Sequence, residues 1–207
     1  MTELYISPIS AWTPEAEGLE KDSSPKLSFT TPLFRRRLSQ LTKMTVQVVH
    51  DCLESTHCGD IKQVFTSFRG EINREFSINE QIIKDGAILP AAFSLSVFNA
   101  PIAEASIALG LKSGYSVITP SKENFASALL AACAPVLCAE EKAVMFIYAD
   151  EYIREEYGDL RPSDNSALSF AFVISAEKTE GYKPLDLSAL DIHNSIKPKD
   201  FLLKYSK

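Results

Sequence analysis

The feature that most constrains this 207-residue chain is the segment AVMFIYA at residues 143–149, which is almost continuously apolar. A strand with one face in water alternates apolar and polar residues, whereas a strand covered on both faces has no need to. The segment therefore predicts a strand at the centre of a parallel or mixed sheet, with other elements packed on both of its faces.

The rest of the chain supplies the elements of such a sheet. Strand patterns lie at 5–12, 61–68, 115–119 and 167–177, and helical patterns lie at 34–54, 71–86, 99–109 and 122–138. In the last helix, Ser121 is the predicted N-cap and Asn124 the third helical residue. The predicted fold class is α/β, with a central mixed sheet and helices on both faces. We place this domain at residues 1–177 and expect residues 178–207, whose periodicity is weak, to form a C-terminal extension.

Charge and cysteine content exclude several classes of protein. The 27 acidic and 21 basic side chains give a net charge of -6, which offers no broad basic surface for nucleic acid. The sequence has no apolar run long enough to span a membrane and no signal peptide pattern, so a cytoplasmic protein without a membrane partner is expected. The four cysteines form no C-x-x-C pair and are expected to be reduced thiols.

One short stretch contains His50, Cys52, His57 and Cys58, which are residue types that bind metals. Their spacing matches no standard zinc pattern, so neither a metal nor another cofactor is predicted. We expect instead a helix that buries Cys52 and ends near Gly59.

Three consecutive arginines, residues 35–37, precede the first long helix. Positive charge at a helix start opposes the helix dipole. The arginines are therefore either a solvated helix start or a surface that faces acidic groups of a partner chain.

Four segments carry a resemblance to a known family. They are SFRGEINR (67–74), FSLSVFNAPIAEASIALGLKSGYSVIT (93–119), ENFASALLAA (123–132) and FIYADEYIREEYG (146–158). They resemble the N-terminal half of β-ketoacyl synthases, in particular the short group found with aryl-polyene lipid biosynthesis. The resemblance implies a truncated thiolase-like fold that consists of the N-terminal half of a duplicated architecture.

The resemblance also locates a missing nucleophile. In active ketosynthases the segment that corresponds to residues 96–119 leads into a cysteine at a helix start, where the thiol pKa is lowered and backbone N–H groups stabilise an oxyanion. A placement without gaps puts Lys122 at this position, and a shift of one residue puts Glu123 there. Neither side chain is a good acyl acceptor, so the nucleophile position is degenerate.

Other residues do not replace the lost chemistry. Cys133 lies further along the predicted helix, in an apolar setting that is expected to raise its thiol pKa. The two catalytic histidines of ketosynthases belong to the C-terminal half of the fold, and the one late histidine here, His193, lies in no recognisable motif and is expected at the surface. We therefore expect no catalysis by this chain alone.

The resemblance implies a non-catalytic subunit similar to a chain length factor. Such a subunit forms a heterodimer with a catalytic ketosynthase, and reaches acyl carrier protein (ACP) through that complex. The predicted strand at the interface consists of Tyr115, Ser116, Val117, Ile118 and Thr119, and the residues predicted to line an acyl tunnel are Phe98, Asn99 and Ile102. Two alternatives stay open, namely a stand-alone acyltransferase that uses Ser121 or Cys133, and a homodimeric module that binds acyl groups or ACP.

Overall fold

A computed structural model of the chain describes residues 3–190 and 196–206. The strands are β1 (Tyr5–Ile6), β2 (Ser10–Trp12), β3 (Gln63–Thr66), β4 (Tyr115–Ile118), β5 (Ala143–Asp150), β6 (Leu168–Ser175) and β7 (Lys183–Pro184). The helices are α1 (Pro32–Arg36), α2 (Gln40–Thr56), α3 (Ile72–Asp85), α4 (Pro90–Ser94), α5 (Ala100–Leu109), α6 (Phe125–Leu137) and α7 (Pro198–Tyr205).

The strands form one mixed sheet in the order β4-β3-β5-β6-β1-β7, and β2 also pairs with β6. Strand β3 is parallel to both β4 and β5, whereas β5 and β6 are antiparallel. Because β3, β4 and β5 are parallel, their C-terminal ends lie on the same side of the sheet, and the loops that follow them lie close together. These loops carry the candidate site.

Strand β5 is buried on both faces, as its apolar run predicted. Val144, Phe146 and Tyr148 pack in a core with α6 and α7. On the opposite face, Met145 and Ile147 pack in a second core with α2 and α5. The predicted α/β architecture, a mixed sheet with helices on both faces, is confirmed.

The residues that follow Lys178 contribute to the first core. Strand β7 pairs with β1, and Phe201 of α7 is completely buried. The ring of Phe201 lies 5.4 Å from the rings of both Phe125 and Phe172, measured between centroids. Whether residues 178–207 act as a separate extension stays a prediction. His193 lies outside the described residues.

The arginine triplet occupies a different position from the one predicted. Pro32 begins the short helix α1, and Ser39 caps the start of α2, so Arg35 and Arg36 lie in the last turn of α1 rather than at the start of the long helix. Positive charge is favourable there, because the helix dipole is negative at its C-terminal end. An acidic group of the same chain also faces the triplet, since Arg37 Nη2 lies 2.7 Å from Glu104 Oε2.

Candidate functional site

The candidate site is the elbow between β4 and α6, where the resemblance placed the lost nucleophile. Residues Ser121–Glu123 form a single 3-10 turn, in which Lys122 has φ 53° and ψ 36° and Glu123 has φ 55°. Both residues therefore have left-handed backbone conformations, which residues other than glycine rarely adopt.

The start of α6 differs from the prediction in one detail. The side-chain oxygen of Asn124 accepts a hydrogen bond from the Ser127 N–H at 3.0 Å, so Asn124 is the N-cap. Ser121 was predicted to cap this helix, and that prediction is wrong, because the left-handed turn at Lys122 and Glu123 separates Ser121 from the helix, which begins at Phe125.

A positive side chain occupies the space beside the elbow. The Arg69 guanidinium forms an ion pair with the carboxylate of Glu123. On its other side, Arg69 Nη1 lies 3.5 Å from Asp150 Oδ2, at the end of β5. Arg69 thus links the loops that follow β3, β4 and β5.

Of the two carboxylates that Arg69 contacts, Asp150 is the buried one. It accepts hydrogen bonds from Ser67 Oγ at 2.6 Å, from the Tyr148 hydroxyl at 2.8 Å and from the Phe68 N–H at 3.1 Å. Burial raises the pKa of Asp150, although these donors and Arg69 oppose the rise. Burial, followed by the adjacent Asp150, also raises the pKa of Tyr148 well above its usual value. Ser67, Tyr148 and Arg69 therefore hold the Asp150 carboxyl in place rather than leave it open to a substrate.

The elbow lacks an activated nucleophile among the residues that the structure describes. Glu123 is engaged by Arg69, and neither of the two described histidines, His50 and His57, is hydrogen bonded to Ser121. His50 contacts Asp51 and stacks on Phe29, while His57 caps the C-terminal end of α2. A serine hydroxyl without a base nearby is a weak nucleophile.

The two buried cysteines do not supply the missing nucleophile. Cys133 is completely buried in the core beneath α6, and burial raises its pKa to about 12. Cys52 is buried on α2, as predicted, and its pKa is also raised by burial. At neutral pH both side chains are neutral thiols without access to an acyl donor.

Two acidic residues that interact with each other, Glu71 and Glu151, were not found from the sequence. Glu71 is completely buried and accepts hydrogen bonds from Ser39 Oγ and Thr42 Oγ1, both at 2.6 Å, while Arg74 Nε lies 3.1 Å away. Burial raises the pKa of Glu151 to about 7, and the nearby Glu71 contributes to the rise.

Glu151 of this pair lines a cleft of about 1070 Å³. Ser39, Asn73, Arg74, Glu151 and Arg154 are among its lining residues. The sequence carried no sign of the pair, because Glu71 and Glu151 are 80 positions apart and each resembles an ordinary surface carboxylate.

Strand β4, which contains four of the five predicted interface residues, forms one edge of the sheet. Tyr115, Ser116, Val117 and Ile118 pair with β3, and their other side has no strand partner within the part of the chain that is described. Thr119 follows the strand.

The orientation of the β4 backbone follows from one hydrogen bond. The Gln63 N–H donates to Gly114 O at 3.1 Å. In a parallel pair, alternate residues bond to the same neighbour. The backbone groups of Tyr115 and Val117 therefore point toward the free edge.

The three residues predicted to line a tunnel have different surroundings. Ile102 is completely buried in the core with α2. Phe98 is half-buried and packs against the same core, and the Asn99 side-chain N–H donates to the Tyr115 hydroxyl at 3.1 Å. This region therefore adjoins the β4 edge, while its role in a tunnel stays a prediction.

Within residues 3–190 and 196–206, no group of three or more His, Cys, Asp or Glu side chains is arranged to hold a metal ion. In the same ranges, no helix is both long and apolar enough to span a membrane.

Comparison with known families gives a match over most of the chain. The sequence model described as β-ketoacyl synthase, N-terminal domain, matches residues 9–198. Comparison with curated proteins gave no match.

Several solved structures share the fold. A ketosynthase (ApeO) in complex with its chain length factor (ApeC) from Xenorhabdus doucetiae aligns with a TM-score of 0.70 and 19% identity, over 84% of this chain and 79% of the matched one. The ishigamide ketosynthase/chain length factor aligns with a TM-score of 0.67 and 12% identity, over 86% of this chain and 64% of that one.

A β-ketoacyl synthase from Burkholderia phymatum STM815 aligns with a TM-score of 0.59 and 10% identity, over 84% of this chain and 59% of that one. This chain thus spans less than two thirds of that synthase and of the ishigamide chain. The predicted thiolase-like ketosynthase fold is confirmed.

Proposed function

Because this chain belongs to the family of β-ketoacyl synthase N-terminal domains, we propose that it is a non-catalytic subunit similar to a chain length factor. It forms a heterodimer with an active β-ketoacyl-ACP synthase in the cytoplasm. The partner condenses acyl groups carried by ACP, in elongation of the aryl-polyene or fatty-acid type. This chain shapes the space into which the product grows.

The observation that carries the proposal is the Arg69–Glu123 ion pair at the elbow. Acyl transfer needs a free nucleophile and a base that activates it. Here a carboxylate stands near the expected thiol position and is neutralised by a guanidinium. The elbow thus has a structural role, and the chemistry is left to a partner.

The free edge of β4 supports pairing with another chain. An unpaired strand edge exposes N–H and C=O groups that can bond to a second strand. Large apolar side chains are also exposed on α3, on α4 and in the segments that adjoin α4, namely Ile82, Ile83, Leu89, Phe93 and Val97, which are 43% to 85% exposed. Large exposed apolar patches on soluble proteins commonly mark interaction sites.

The fold of one matched structure also supports the proposal. A total of 84% of this chain aligns with 79% of a chain from a ketosynthase in complex with its chain length factor. The fold of this chain is therefore compatible with such a complex.

Co-expression with a full-length β-ketoacyl-ACP synthase tests the proposal. We expect the two proteins to co-purify in equal amounts, with light scattering giving the mass of a complex. After incubation with acyl-ACP, mass spectrometry should find the acyl group on the partner's cysteine and none on this chain. The Ser121→Ala variant should leave condensation unchanged, whereas replacement of the partner's active-site cysteine should abolish it.

Two results would contradict the proposal. Acylation of this chain when it is purified alone would favour a stand-alone acyltransferase. A homodimer that ignores the ketosynthase would favour a module that binds acyl groups or ACP.

A further inference from the structure

The loop that follows β3 and the loop that follows β5 are joined at two points. At the first, the Asp150 carboxylate accepts a hydrogen bond from Ser67 Oγ at 2.6 Å and faces Arg69. At the second, one residue further along, Glu151 Oε1 accepts a hydrogen bond from the Asn73 N–H at 3.1 Å. Because Asp150 and Glu151 are adjacent in the chain, a movement at one junction displaces the other.

The second junction contains two buried carboxylates. Glu71 is completely buried and Glu151 is 6% exposed. Both contact the first turns of two helices. Glu71 directly precedes α3 and accepts a hydrogen bond from Thr42 of α2, whereas Glu151 bonds to Asn73 of α3. The first N–H groups of a helix have no partner within the helix, so a carboxylate at this place stabilises it.

Arg74 compensates only one of the two carboxylates. Its Nε lies 3.1 Å from Glu71 Oε2, and none of the ion pairs among the described residues includes Glu151. Two buried carboxylates close together do not both ionise readily. Burial and then the nearby Glu71 accordingly raise the pKa of Glu151 to about 7.

Other titratable groups surround Glu151. Burial, and then Glu71, raises the pKa of Glu75 on α3. In the loop after β5, burial, followed by Glu75 and Glu151, raises the pKa of Tyr157. The exposed charged groups that line the same cleft are Glu20, Lys21, Asp22, Arg154, Glu155 and Glu156. Water screens these exposed groups, whereas Glu71 acts on Glu151 within the protein.

We propose that Glu71 and Glu151 form a pH-sensitive joint that controls how tightly the loop after β3 is held against the loop after β5. With a proton on Glu151 the joint is closed. When the proton is lost, the two carboxylates repel each other and the loops separate at this point. The loop after β3 also carries Arg69, which pairs with Glu123, so the separation loosens the contact with the elbow. The joint is a property of this chain and goes beyond the proposed function.

Hydrogen exchange of single backbone amides, followed by NMR on the full chain, tests the joint. The Asn73 N–H bonds to Glu151, and the Gly70 N–H bonds to Ser67 Oγ at 2.8 Å in the loop that should loosen. After correction for the intrinsic exchange rate, the protection of both amides should fall by about 50-fold from pH 5 to pH 8. The reason is that the closed joint holds its proton up to about pH 7, whereas a solvated glutamate loses it near 4.5.

Two other amides serve as internal controls. The Lys112 N–H also donates to a carboxylate, Asp60 Oδ2, at 2.8 Å, but this bond lowers the pKa of Asp60, so the protection of Lys112 should stay level. The Val173 N–H lies in the buried strand β6 and reports unfolding of the whole chain. An equal fall at Lys112 would overturn the proposal. So would protection at Asn73 and Gly70 as high as at Val173, because the loops would then open only when the chain unfolds.

Two variants identify the group that titrates. Glu151→Gln should make the protection of Asn73 and Gly70 nearly independent of pH. Glu75→Gln changes the other carboxyl with a raised pKa and should leave the wild-type fall in place. The reverse result would overturn the proposal. Should Glu151→Gln fail to fold, Glu71→Gln gives the decision, because loss of its charge should move the fall to lower pH, and an unchanged midpoint would contradict the joint.

Discussion

The guanidinium of Arg69 pairs with the carboxylate of Glu123 across 54 positions of sequence, and so joins the loop after β3 to the elbow before α6. The pair is unequal, because the Glu123 side chain is 54% exposed whereas the Arg69 side chain is 19% exposed and also faces the buried Asp150. Arg69 is therefore the more important member for stability.

Substitution of the two residues should show this inequality. Arg69→Met leaves Asp150 buried without its cation and should lower the free energy of unfolding by about 3 kcal/mol. Glu123→Gln removes a mostly exposed charge and should cost less than about 1 kcal/mol. Urea unfolding followed by circular dichroism measures both values, and equal losses would contradict this account.

The stability of the fold should depend on the protonation of Glu151. Its pKa is raised to about 7 in the folded protein from an ordinary value of 4.5, so the folded state holds the proton more tightly than the unfolded state. The contribution of this group is therefore greatest below pH 4.5, falls as the pH rises from 4.5 to 7, and is lost above 7. The loss is on the order of 3 kcal/mol.

Glu151→Gln should reduce the decline in stability over this pH range, and the variant should be more stable than the wild type at pH 8. Glu155→Gln, a change of an exposed neighbour, should leave the pH profile as it is. Unfolding measured at a series of pH values gives the comparison. A variant profile with the wild-type slope would show that Glu151 is not the titrating group.

The free edge of β4 can be tested with proline. Val117→Pro removes an N–H that points away from β3, so the sheet within the chain should persist while pairing with the ketosynthase is lost. Ser116→Pro instead removes an N–H that points toward β3 and should destabilise the chain itself. Co-purification and thermal unfolding distinguish the two effects, and a Val117→Pro chain that still pairs would exclude this edge as the interface.

The C-terminal helix should be essential to the fold. Phe201→Ala removes a completely buried ring and should lower the free energy of unfolding by about 3–5 kcal/mol. Leu203 lies in the same helix but is 58% exposed, so Leu203→Ala should change stability by less than about 0.5 kcal/mol. A small effect at Phe201 would mean that α7 is only loosely attached.

The sequence predicted elements that depend on local periodicity. The apolar run of β5 required burial on both faces, and the strand is buried on both. The placement of a degenerate nucleophile at Lys122 or Glu123 stays a prediction. Two predictions about helix ends were wrong, because a neighbouring element of structure includes the same residues. Ser121 lost the capping role to Asn124, and Arg35–Arg37 ended one helix instead of beginning another.

The contacts that define the site could not be predicted in this way. Arg69 meets Asp150 across 81 positions, and Gly70 meets Phe98 across 28. Such contacts arise from the packing order of the strands rather than from any pattern in one segment. An isolated arginine or glycine in SFRGEINR carries no sign of its partner.

The open edge of β4 has a consequence for the life of the chain in a cell. A strand edge that can pair with the proposed partner can also pair with a misfolded polypeptide or with another copy of this chain. Newly made copies that stay uncovered would be prone to aggregation and proteolysis. We therefore expect the cellular amount of this chain to follow the supply of the protein that covers the edge, with any surplus removed.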